Sequence, residues 1–208
     1  MSGKDDLDKL RNSLAFHIPK EGSGRTAVTK DDYPKFIAAA KEQAAKGMKE
    51  GGQPIGAVVV HLPTGQILGR GHNQRLQRGS RVLHAETDAL ENATLTGKPG
   101  GAPVPDNMMA ECGMFTTMSP CPMCAGACAQ FGLKLVVMAE NETCSHGEFV
   151  LAHFGIETVN LKDTEMVDTV NQWIAGPGAR TWGNPELAVP LRRWIAEEPG
   201  NPNGWVPS

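Results

Sequence analysis

Apolar residues at positions 36, 37, 40, 44 and 48 (Phe36, Ile37, Ala40, Ala44 and Met48) follow steps of three and four, which gathers them on one face of a helix. Asp31 or Asp32 can cap that helix, Pro34 suits its first turn, and Gly51 with Gly52 stops it. The period then shortens. Residues 55–62 and 66–71 read as two strands joined through Pro63, Thr64 and Gly65, a hairpin. Further along, the pattern predicts a helix over 84–93, a strand over 113–118, a helix over 121–131 and a strand over 133–139. A helix over 148–154 and a strand over 156–161 follow, so the strand-helix-strand unit implies a parallel pair with a right-handed crossover. Residues 164–175 form a last helical pattern, with Met166, Val167, Val170 and Ile174 on one side.

The remaining stretches punctuate or flank this core. Residues 97–107 are rich in Gly and Pro and predict a surface loop. Residues 1–30, with a short helical candidate at Leu7, Leu10 and Leu14 and a Gly/Ser loop over 21–25, read as an N-terminal extension. The domain proper is assigned to 31–175, and 176–208 to a C-terminal segment with a short helix over 191–198 and a fraying tail. At 208 residues this is one domain with additions.

Charge narrows the partners. A net charge of -3 offers no general attraction to phosphate backbones, and 5% aromatic content poorly supplies a base-stacking platform, so nucleic acid is not the expected ligand. Arg70, Arg75, Arg78 and Arg81 make a local basic cluster, read as a solvated loop. There is no run of 18 or more apolar residues and the start is acidic and polar, so no membrane span is expected and the cytoplasm is the predicted compartment. Five cysteines without a leader fit a reducing cytosol.

Chemistry enters with His84, Ala85 and Glu86, followed downstream by Pro120, Cys121, Pro122, Met123 and Cys124. One imidazole and two thiolates can hold zinc in a tetrahedral site that leaves one position open to water. Cysteines three apart in the first turn of a helix share a face, and the helix amino terminus favours the thiolate. Glu86 lies about 200° around a helix from His84, so it belongs beside the ion and not on it. There it can carry protons between water and a departing nitrogen. A structural zinc closed by four ligands is the competing reading, with Cys128 its fourth candidate; seven residues beyond Cys121, it is about 10 Å away along a helix and fits a packed core better. Cys112 is read as structural, the five other histidines as surface or core residues, with His72 set apart because it precedes Asn73, and Glu140, Asn141 and Glu142 as a solvated turn.

These motifs, with residues 49–56 (KEGGQPIG), 69–75 (GRGHNQR), 79–92 (GSRVLHAETDALEN) and 116–126 (TTMSPCPMCAG), resemble the cytidine deaminase superfamily. The similarity is to the branch of fungal-type cytosine deaminase, guanine deaminase and tRNA adenosine deaminase, and covers roughly residues 33–182. It implies a three-layer αβα fold of the α/β class, whose central mixed five-stranded sheet has its last two strands parallel, and one Zn2+ per chain on His84, Cys121 and Cys124. It also implies a homodimer and hydrolytic deamination of a small aminated heterocycle with Glu86 as catalytic residue. Cytosine to uracil comes first, then guanine or a related amino-pyrimidine or purine, or adenosine in tRNA; a zinc-stabilised binding module without turnover comes last. The resemblance adds substrate contacts: Asn73 to a ring oxygen or nitrogen, the Ala85 N–H, the Ser119 carbonyl to the amine, and Trp182 closing the pocket. Cys144 stands where the free-cytosine enzymes place a stacking phenylalanine, and Glu186 is one position away from their terminal acidic residue.

Overall fold

The computed structural model describes residues 27–94 and 106–178. Its first helix, α1 (Tyr33–Lys49), buries Phe36, Ile37, Ala40 and Ala44, while Met48 is 40% exposed, so the apolar face ends one turn earlier than its periodicity predicts. The start also differs. Asp32 stands at the N-cap of α1, but its side chain makes no capping bond there: its carboxylate accepts the Thr29 N–H and hydroxyl at 2.9 Å each and closes a 3-10 turn at Lys30–Asp32. At the other end Gly51 adopts a φ of 82°, a left-handed conformation that costs glycine little, and the Gly52 N–H reaches the Gly47 carbonyl at 2.8 Å.

Two strands follow, β1 (Gly56–His61) and β2 (Gln66–His72), then α2 (Ala85–Thr94) and a short α3 (Asp106–Met109). The rest of the described chain is β3 (Cys112–Thr116), α4 (Pro122–Gln130), β4 (Leu135–Met138), α5 (Glu148–His153), β5 (Glu157–Asn160) and α6 (Thr164–Ala175). The sheet order is β2-β1-β3-β4-β5, with β1 antiparallel to both neighbours and β3, β4 and β5 mutually parallel. The mixed five-stranded sheet and its parallel last pair are as expected, and the parallel register extends one strand further.

Every residue of β1 is buried, because helices cover both faces. Ala57 and Val59 pack with Ala85, Ala89, Leu90 and Cys128 on one side, and Val58 and Val60 pack with Phe36, Ile37 and Phe115 on the other. Burying each of these valines stabilises the fold by about 1.5–3 kcal/mol. Cys112 belongs to the first side, where its thiol donates to the Met108 carbonyl at 3.2 Å and burial pushes its pKa up to about 12, as suits a structural cysteine. α3 forms at the close of the expected 97–107 loop, where buried Met108 and Met109 give the chain an anchor. The expected elements before residue 27, in 95–105 and after 178 lie outside the described residues, as do Trp182 and Glu186. Among the described residues no helix is long and apolar enough to cross a membrane.

Register decides where function can sit. Gly56 pairs with His72, Ala57 with Thr116, and Thr116 with Met138, so the start of β1 and the ends of β2, β3 and β4 share one edge of the sheet. α2 is drawn to the same place: a Cβ on Gly71 would lie 2.4 Å from the Ala85 carbonyl oxygen and 2.2 Å from the Ala89 nitrogen. Strand and helix backbones touch there because residue 71 has no side chain.

Candidate active site

His84 directly precedes α2, and its carbonyl accepts the Asp88 N–H at 2.8 Å. The helix therefore begins one residue later than predicted. The second metal helix is displaced in the same sense: Cys121 is the extended N-cap of α4 (φ -70°, ψ 167°), and Pro122 occupies its first turn. From these two helix starts the ligand atoms converge. His84 Nδ1 lies 3.5 Å from Cys121 Sγ and 3.5 Å from Cys124 Sγ, and the two sulfurs are 3.6 Å apart. A tetrahedral ion with about 2.3 Å to sulfur and about 2.0 Å to nitrogen requires edges of about 3.8 Å between sulfurs and about 3.5 Å from sulfur to nitrogen. The triangle fits zinc.

Among the described residues this is the one group of three or more His, Cys, Asp and Glu side chains whose ligand atoms all lie within 4.8 Å of one another. Cys128 is outside it, fully buried, with its thiol pKa pushed well up by burial and then by the charge of Glu86. Glu86 is 4% exposed and stands beside the triangle, in hydrogen-bond contact with Cys124.

The electrostatics of the four groups are coupled. A hydrogen bond from Cys124, aided by His84, pulls the Cys121 pKa down to about 4 in spite of burial. Cys124 shifts upward, since its proton is shared with the Cys121 thiolate and the group is desolvated. His84 is raised by its hydrogen bond to Cys121, which outweighs its own burial. Desolvation, reinforced by the Cys121 charge, moves Glu86 up to about 7. Three anion-forming groups around one imidazole are short of positive charge, and a divalent cation answers that need while opposing the rise at Glu86.

Three of the candidate substrate contacts, Asn73, Ala85 and Ser119, lie at the ends of β2 and β3 and the start of α2. Asn73 follows β2, is 1% exposed, and uses Oδ1 to accept the Arg75 N–H at 3.0 Å while its own N–H meets the Ile55 carbonyl at 3.0 Å. It is thus a turn residue in part, with Nδ2 directed away from that bond. Ala85 is fully buried at the start of α2, where the first helical N–H groups have no partner within the helix. Ser119, 2% exposed, donates its N–H to the Glu140 carbonyl at 2.8 Å and its hydroxyl to Glu148 Oε1 at 3.1 Å.

The segment after β4 is bolted onto the metal loop. Glu140 is not a solvated turn residue: at 1% exposure it accepts N–H groups from Glu142 at 2.8 Å and Thr143 at 3.0 Å, and the Thr143 hydroxyl. Glu148 Oε1 also accepts from Asn141 at 3.0 Å. Gly147 lies so close that a Cβ there would sit 2.2 Å from the Pro120 carbonyl oxygen. Cys144 is partly buried, 3.6 Å from His146 Nδ1, with a pKa pushed up to about 12 first by burial and also by the Cys121 and Glu86 charges. His72 is buried against Glu50 at 2.7 Å and takes no part in the metal group. Of the basic cluster, Arg78 and Arg81 are exposed and Arg70 pairs with Glu42 at 3.6 Å. Sequence reasoning missed Asp88, Glu140, Gly147 and Glu148. Asp88 carried a signal, a charge one turn after His84 between apolar Ala85 and Ala89; Gly147 and Glu148 act across folds of the chain that no local pattern reveals, and the burial of Glu140 is set by its packing and not by its polar neighbours.

Residues 30–140 match the cytidine and deoxycytidylate deaminase zinc-binding region. A cytosine deaminase of Candida albicans is 41% identical over 143 residues, which span 69% of this chain and 89% of that protein. A tRNA-specific adenosine deaminase of Streptococcus pyogenes is 34% identical over 97 residues, 47% of this chain and 55% of the relative. In structure, a guanine deaminase from Nitrosomonas europaea superposes with a TM-score of 0.55 over 77% of this chain and 97% of its own, at 19% identity, which speaks for the fold. Kinship in sequence spans the same residues that build the ligand triangle and its neighbouring carboxylate: the chain belongs to the cytidine and deoxycytidylate deaminase zinc-binding family, as a zinc-dependent hydrolytic deaminase.

Proposed function

We propose that the chain deaminates a free aminated nucleobase, with cytosine to uracil its principal reaction. The observation that carries this reading is the ligand triangle with Glu86 buried against it, in a chain 41% identical to a cytosine deaminase over most of that protein's length. His84, Cys121 and Cys124 would hold the zinc, which when bound supplies Lewis-acid activation of water near neutral pH. Glu86 does the proton work: it accepts a proton from the attacking water and delivers it to the ring nitrogen of the amidine N=C–NH2. The water oxygen adds to the ring carbon, a second proton passes through Glu86 to the amino group, the C–N bond breaks, and ammonia leaves a ring carbonyl behind.

Asn73, Ala85 and Ser119 orient the ring. Because Asn73 Oδ1 is engaged by the Arg75 N–H, its Nδ2 is the group available to a ligand, and a donor there suits a ring oxygen such as that of cytosine. Ala85 contributes a backbone N–H and Ser119 a carbonyl for the departing amine. Trp182 closes the pocket from the C-terminal segment of residues 176–208, the deaminase domain is 31–175, residues 1–30 are an extension of it, and the working form is a homodimer. A second reading, adenosine in tRNA, is favoured by the Streptococcus relative and by exposed Arg78 and Arg81. Ammonia release from cytosine, guanine, adenine and a tRNA anticodon stem-loop, each with and without chelator, separates them. Turnover of cytosine that chelator abolishes is expected; activity confined to tRNA, or no ammonia from any of the four, would overturn the proposal.

A further inference from the structure

The two residues flanking Asn73 are tied to one carboxylate. Asp88 Oδ2 accepts the His72 backbone N–H at 2.9 Å and the Gln74 side-chain amide at 3.5 Å. Asp88 is 5% exposed and sits on α2, one turn beyond His84 and two residues beyond Glu86. Its Oδ1 accepts from Asn92 Nδ2 at 3.4 Å, and the same Asn92 group donates to the Arg70 carbonyl of β2 at 3.0 Å. His72 Nδ1 lies 3.9 Å from Oδ2.

A buried carboxylate costs free energy unless its acceptors are filled, and the neighbouring inward positions of α2, Ala85, Ala89 and Ala93, are alanines. Helix-to-strand packing is already supplied by the close approach of Gly69 and Gly71 to the α2 backbone. The bonds of Asp88 fall elsewhere, on the short stretch that ends β2 and presents Asn73. From this geometry we infer that Asp88 is a positioning residue that locks Asn73 to the helix carrying Glu86, so that the group holding the ring and the group moving the proton share one frame. The inference deepens the proposed function and rests on Asn73 being a substrate contact. Such groups must be held to within about 0.5 Å of productive geometry, which two residues on separate elements achieve only through a link of this kind.

The test is a double-mutant cycle on the full-length, zinc-loaded protein, using whichever base of the panel turns over fastest. Asp88→Ala is expected to raise KM about tenfold, leave kcat within about threefold and leave zinc content unchanged. In an Asn73→Ala background the same substitution should change KM by less than about twofold, because the residue it positions is gone. Val58→Ala, on the opposite face of the sheet, serves as a control that lowers Tm without moving KM. Should Asp88→Ala fail to fold, Asp88→Asn replaces it: one oxygen still receives His72, a donor now faces Asn92, and a rise in KM of about threefold is expected. An unchanged KM in the Asp88 variant, or the same rise in both backgrounds, overturns the positioning role. An Asn73→Ala variant that by itself leaves KM unchanged overturns instead the reading of Asn73 on which this one rests.

Discussion

Gly147→Ala isolates the coupling between the segment after β4 and the metal loop. At φ -100° and ψ -9° residue 147 lies in a region open to any L-residue, so alanine brings no backbone strain. What it brings is one methyl group, directed at backbone: 2.2 Å from the Pro120 oxygen and 2.8 Å from both the carbonyl carbon and oxygen of Cys121. Ordinary contact begins at 3.4 Å, so the shortfall is about 1.2 Å, and no rotamer change can relieve it. Either the 140–148 segment backs away, breaking the Ser119 bonds to Glu140 and Glu148, or Pro120 and Cys121 move and open the ligand triangle. Overpacking of this kind costs about 1–3 kcal/mol of stability, and a misplacement near 1 Å costs about a hundredfold in rate. The assays are ammonia release for kcat/KM, metal analysis for zinc, and urea unfolding. Gly126→Ala is the companion variant. It lies inside α4, two residues from Cys124, where an added Cβ meets nothing within 4 Å, so the change should stabilise the helix by about 0.5–1 kcal/mol and leave activity intact. If Gly147→Ala keeps kcat/KM within about threefold of wild type and retains its zinc, the steric reasoning is wrong.

Glu86→Gln should abolish turnover while zinc content and Tm are preserved, because the amide keeps the shape but cannot carry a proton; a variant within about tenfold of wild type removes Glu86 from the mechanism. The purified protein should contain one zinc per chain, lost in Cys121→Ala and kept in Cys128→Ala, and the reverse pattern by metal analysis would dismiss the ligand assignment. Lys41 bonds Asp163 at 2.6 Å and Glu165 at 2.8 Å; burial alone would lower its pKa, but the two carboxylates outweigh it and the net shift is upward. A raised lysine pKa means stability that is fully present below about 10.4 and lost as pH rises through the folded value, so Lys41→Met should cost about 0.5–1 kcal/mol in urea unfolding at pH 7 and nothing at strongly alkaline pH. An equal cost at both pH values would show that packing, and not charge, is at work.

How much of this was written in the linear chain depends on the range of the interaction. The order of helices and strands follows from local periodicity, since apolar steps of three and four or continuous apolar runs are properties of neighbouring residues. The metal chemistry was legible for a similar reason: only a few residue types ligate zinc, and a Cys-x-x-Cys spacing at a helix start has few other uses outside redox pairs. Helix starts were less secure, because whether His84 and Cys121 stand in the first turn or just before it depends on caps that local sequence constrains only to within a residue or two. Tertiary structure alone decided that Glu140, two residues from exposed-type positions in a polar run, is a buried acceptor, that Gly147 rests on Pro120, and that Asp88 bridges to His72 and Gln74. The Gly147 and Asp88 contacts join residues 14 to 27 positions apart and the Glu140 carboxylate is filled by N–H groups of the turn it closes, so their geometry is set by how the register of β1, β2, β3 and β4 places these segments, not by the residues themselves. Sequence specifies which atoms can bind zinc and carry protons; the shared edge of the sheet brings the three ligand atoms within 3.6 Å of one another.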